Sequence, residues 1–135
     1  MIRKDYILRM VEEFGIFLAA IIGLKKGGKY DEALERVNQI YSGMIDIDPT
    51  LVKSIDSSEL LEFLQNEKGY DNHYIKMLAE LLFEEGQIYF SQGDPVIGQN
   101  VLEKSKILIN YLMESDKTFS FDWYEKINII DNLIN

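Results

Sequence analysis

Apolar residues recur along this chain at three- and four-residue intervals, the spacing of a helix that buries one stripe. Over 2–24 the stripe is Ile7, Met10, Val11, Phe14, Phe17, Leu18 and Ile21, and Gly27-Gly28 stops it. A second stripe of Ala33/Leu34, Val37, Ile40/Tyr41 and Met44 predicts a helix over 31–45. Asp31 and Glu32 lie in its first turn, favourable against the helix dipole. Asp48-Pro49 marks a cap with proline at the first helical position, followed by one short turn. Asp56 and Glu59 have capping-box spacing and open a short helix carrying Leu60, Leu61, Phe63 and Leu64, which 66–69 breaks.

The fourth helix, over 71–91, carries Ile75, Leu78, Leu82 and Tyr89 on one side, with Phe83 and Phe90 about 120–140° away. That arc is too wide for a helix covered on one face, so this helix is expected to pack between two neighbours. Gly93 ends it, Asp94 caps the next and Pro95 begins it; Ile97, Val101, Leu102, Leu108, Ile109 and Leu112 point inward as far as 114. Ser120 caps a final helix with Trp123, Ile127, Ile130 and Ile134 on its apolar side. No segment alternates with period two, and no linker interrupts the pattern. The expectation is a single all-α domain over 1–135, of five to six helices. Gly15, Ala19 and Gly23 recur every four residues on one face of the first helix. Small residues so placed predict a close helix crossing within the chain, and they are also the candidate contact for self-association.

GQIYFSQGDPVIG, 86–98, resembles the helix–turn–helix of a tetratricopeptide repeat. Gly86 takes the small position of the first helix, Tyr89 the aromatic, Gly93-Asp94 the turn and Gly98 the small position of the second helix, with Ser105 at a further small position. Glu85 and Pro95 stand where the family usually has Leu and Tyr. GLKKGGKYDEAL, 23–34, is a second match through Gly28, Tyr30 and Ala33, but Ile21 and Leu24 replace the small and aromatic pair. The two matches cover about 14–47 and 79–112. The opening MIRKDYILRMVEEF together with that turn also resembles a group of short bacterial tetratricopeptide-like proteins of no assigned function. The resemblance implies antiparallel helical hairpins whose first helices line a groove. Position by position, it places Leu18, Ile22, Lys25 and Lys26 there from the first match and Glu80, Phe83, Gln87 and Phe90 from the second. Packing of Phe83 and Phe90 on a neighbouring helix is the competing expectation for those two rings.

Composition narrows the functions. The chain has 135 residues, no Cys and one His, which excludes disulfides, thiol chemistry and multi-His metal sites. Its net charge is −9, distributed as +1 over 1–36 and −10 over the rest, so nucleic acid is not an expected partner. FGIFLAAIIGL, 14–24, is eleven apolar residues, about half a membrane span. Glu12-Glu13 before it and Lys25-Lys26 after it do not fit a signal peptide, so a soluble, cytoplasmic protein is expected.

Motifs for chemistry are incomplete. Gly23-x4-Gly28-Lys29 is most of a phosphate loop, but Tyr30 stands where Ser or Thr must hold magnesium, and a helix precedes it where a strand should. Asp46-x-Asp48 begins like a calcium loop, yet Leu51 and Ser57 occupy the required Gly and Glu positions. No cofactor or metal is expected. Sequence thus predicts a non-enzymatic module that binds a protein segment or a second copy of itself. The rival expectation is a small helical enzyme or ligand-binding domain using Glu80, Glu84 and His73.

Overall fold

A computed structural model describes residues 2–116 and 120–135. These form seven α-helices and two π-helical turns, with no strand among the described residues. The fold is all-α. Helix α1 (Ile2–Lys26) folds back on α2 (Tyr30–Ile40), and α5 (Asn72–Ser91) folds back on α6 (Pro95–Asp116). Both hairpins turn by the same device. Gly28 at φ +74° and Gly93 at φ +88° take the left-handed conformation that glycine adopts without strain. The next amide then reaches back five residues, Lys29 N to Leu24 O and Asp94 N to Tyr89 O, each at 2.9 Å.

Between the hairpins, α2 widens into a π-helical turn, Tyr41–Ile45, which ends at Asp46 with φ 58°. Asp48 accepts the Thr50 amide to start α3 (Pro49–Ser54), and Asp56 accepts the Ser58 amide to start α4 (Ser57–Glu62). A second π-helical turn, Phe63–Glu67, follows α4. The Tyr70 hydroxyl then donates to Ile45 O at 2.5 Å and Asp46 O at 3.0 Å, tying the ends of the two π-helical turns together. Asp71 caps α5, and Ser120 caps α7 (Phe121–Ile134).

Helix α5 is the centre of the molecule and packs against α1, α2, α6 and α7, as its wide apolar arc predicts. Its crossing with α6 is close because two glycines face it. A Cβ on Gly86 would lie 2.4 Å from Leu102, and one on Gly98 would lie 2.6 Å from the Phe90 ring. The Ser105 hydroxyl donates to Ala79 O at 2.8 Å in the same seam.

Five expectations need correction. The segment after Pro49 is a helix in its own right, and 31–45 is an α-helix plus a π-helical turn rather than one helix; Tyr41 and Ile45 both remain buried there. No described helix crosses at Gly15, Ala19 and Gly23: all three are exposed, and a Cβ on either glycine would meet nothing within 4 Å. The opposite side of α1, with Met10, Phe14 and Ile21, is buried instead, because large apolar groups gain more from leaving water than small ones. Val11 and Phe17, at the margins of that stripe, are exposed. Ile97, expected inward, is exposed in the first turn of α6. No described helix is long and apolar enough to cross a membrane.

Candidate functional site

The end of α1, the middle of α5 and the start of α7 share one face. Lys25 Nζ donates to Glu84 Oε1 at 2.5 Å and to Gln87 Oε1 at 3.2 Å, bridging α1 to α5. Gln87 is itself held by its own Nε2, which donates to Phe83 O at 3.0 Å. Phe83 is buried, with Lys126 Nζ of α7 lying 5.3 Å from its ring centroid and 5.8 Å from that of Trp123. Burial pushes the Glu80 carboxyl above its ordinary pKa, and nearby Lys76 and Lys126 offset this only in part. Lys25, Glu80, Phe83 and Gln87 are therefore brought together. Leu18 packs on the core from α1, and Ile22 is half-buried.

Lys26 and Phe90 are placed elsewhere. One residue beyond Lys25 is a rotation of about 100° round the helix, so Lys26 is exposed on another side of α1. Phe90 packs at the α5–α6 crossing against Gly98. The shared face is thus a polar seam in which Lys25, Glu84 and Gln87 satisfy one another, beside a ring capped by a lysine.

Sequence reasoning gave no role to the most buried charge among the described residues. Glu85 is 1% exposed, accepts the Tyr41 hydroxyl at 2.5 Å and pairs with Lys53 of α3 at 2.7 Å. Burial foremost, then the Glu85 charge, raises the Tyr41 pKa well above the phenol range and pushes Tyr89 up to about 12. Glu85 is also the residue that departs from the repeat pattern, and that departure was the available signal. Lys104 is equally hidden: buried on α6, its ammonium donates to Val52 O and Lys53 O at 2.8 Å each, and burial lowers its pKa. Both lysines beside α3 are thus turned into intramolecular bonds. The open cleft of about 480 Å³ next to them is left with polar groups such as Asp56, Gln99 and Glu103.

The residues of the rival enzyme reading are not assembled. His73 is exposed at the start of α5, with Nδ1 3.5 Å from Asp71 Oδ1. Seven and eleven residues of helix separate it from Glu80 and Glu84, about 10 and 16 Å. Glu84 is already paired with Lys25. Among the described residues no group of three or more His, Cys, Asp or Glu side chains could hold a metal ion.

The outward face of α1 is different in kind. Leu8 is 53% exposed and Ile16 69%, and the exposed Gly15, Ala19 and Gly23 lie beside them. No family model, curated protein or solved structure matches this chain. The functional reading therefore rests on these surfaces. This 25-residue helix buries its core-facing side and leaves Leu8 and Ile16 in water on the opposite side.

Proposed function

We propose that the chain is a non-enzymatic, tetratricopeptide-like interaction module of the cytoplasm, and that α1 supplies its binding surface. The observation that carries the reading is the outward side of α1, where Leu8 and Ile16 stand in water among small residues, because exposed large apolar groups mark a docking site more often than a wholly polar helix face does. The kinship is supported by the two glycine-turned hairpins and by Gly86, Gly98 and Ser105 at the close crossing of the second. The polar seam of Lys25, Glu84 and Gln87 is better suited to locking α1 onto α5 than to gripping a peptide, since each group already has a partner.

A Leu8→Glu/Ile16→Glu double variant tests this reading. Both side chains are exposed in the single chain, so helical circular dichroism should match wild type. In an affinity capture that includes an untagged copy of the chain, wild type should retain a protein and the variant should lose it. A folded variant that keeps the same bound proteins would place the surface elsewhere and remove α1 from the function.

A further inference from the structure

The positions of the outward strip of α1 are spaced alike from both ends. With 3.6 residues per turn, positions 5, 8, 12, 15, 16, 19, 23 and 26 fall in a stripe about 100° wide, opposite the buried Met10, Phe14 and Ile21. These positions are symmetric about the midpoint between Gly15 and Ile16. Laid antiparallel on a copy of itself, the stripe pairs residues whose numbers sum to 31. Leu8 then faces Gly23, and Ile16 faces Gly15, so each protruding side chain meets a glycine with open space above it. At each end the acidic Asp5 of the first turn faces the basic Lys26 of the last turn. A parallel pairing would instead set Asp5 on Asp5, Lys26 on Lys26 and Ile16 on Ile16.

We propose that the partner covering α1 is a second copy of this chain, with the two first helices packed antiparallel in the register that pairs Asp5 with Lys26. The proposal rests on α1 being the binding surface and specifies its occupant. The contact runs from Asp5 to Lys26, about 31 Å of helix. An isologous two-fold contact doubles every pair, and the antiparallel helix dipoles favour it. The adjacent lysines of the α1 terminus have separate tasks. Lys25 is turned inward to Glu84 and Gln87, which leaves Lys26 on the outer stripe. Glu12 lies near the middle of the strip opposite Ala19, the one charge set against an apolar neighbour. Removing it should tighten the pairing.

Sedimentation equilibrium across micromolar concentrations is the primary test, with wild type expected at twice the chain mass. Asp5→Lys and Lys26→Asp should each weaken the dimer about tenfold, and the double exchange should recover most of the loss. Glu12→Ala should lower the dissociation constant. Because the chain has no Cys, register can be tested directly. Leu8→Cys chains mixed with Gly23→Cys chains under a mild oxidant should give a mixed disulfide dimer, and neither variant should cross-link with itself. A monomer throughout the concentration range, self-cross-linking of either variant, or a dimer insensitive to the charge exchanges would each overturn the proposal. A monomer that still captures another protein through Leu8 and Ile16 would overturn self-pairing alone. A chain indifferent to the Leu8→Glu/Ile16→Glu change in both assays would remove α1 as a surface altogether.

Discussion

Glu85 shows how one residue can depart from a pattern without weakening the fold. Its carboxylate joins Tyr41 of the first π-helical turn and Lys53 of α3 to the central helix. A hydrophobic residue at this site would leave the Tyr41 hydroxyl buried without an acceptor. Glu85→Ala should cost about 3 kcal/mol in chemical denaturation, the scale for breaking a buried ion pair from one side. Glu80 behaves oppositely. Its folded pKa is raised, chiefly by burial, so it favours the folded state below its unfolded pKa and loses that contribution as pH rises through the folded value. Glu80→Gln should therefore raise the melting temperature at neutral pH, and the advantage should vanish in acid, where wild-type Glu80 is protonated. Thermal melts of both proteins at the two pH values check this. These side-chain roles were not legible in the sequence, because Glu80, Glu84 and Glu85 look like one solvated run until the neighbouring helices are placed. Lys25 and Lys26 were likewise indistinguishable until α1 had an inward side.

At the scale of elements, the sequence was far more informative. Asp48, Asp56 and Ser120 cap the helices where local spacing placed caps, since a cap is a bond between near neighbours. Glycine was ambiguous, because its usefulness depends on what stands opposite. Gly86 faces Leu102 at a distance that admits no Cβ, whereas Gly15 faces open space. Gly86→Ala should destabilise by about 1–3 kcal/mol through overpacking. In the single chain, Gly15→Ala should stabilise the helix by about 0.5–1 kcal/mol, read in dilute protein because the same methyl would crowd Ile16 of a paired copy. Urea unfolding of the two variants measures both. The spacing of Gly15, Ala19 and Gly23 correctly put three small residues on one face, but a spacing cannot say whether another helix comes to meet them. The π-helical turns were also hidden, because they change the winding of a helix without changing its apolar content.

For the molecule as a whole, the wide apolar arc of α5 was enough to anticipate a central helix with neighbours on more than one side. What the arc could not indicate was how the stretch between the hairpins is held. Helix α3 has only six residues, a length that is marginal alone in water. Yet it is gripped from two directions: Glu85 on α5 binds the Lys53 ammonium, and Lys104 on α6 binds the carbonyls of Val52 and Lys53, with Asn100 adding a bond to Lys53 O at 3.0 Å. Opening α3 would strand a buried carboxylate and a buried ammonium at once. This six-residue connector should therefore lack a low-energy opening of its own. Its interior amide, that of Val52, should exchange with deuterium as slowly as those at the middle of α5, and a protease should reach this segment only through unfolding of the entire chain.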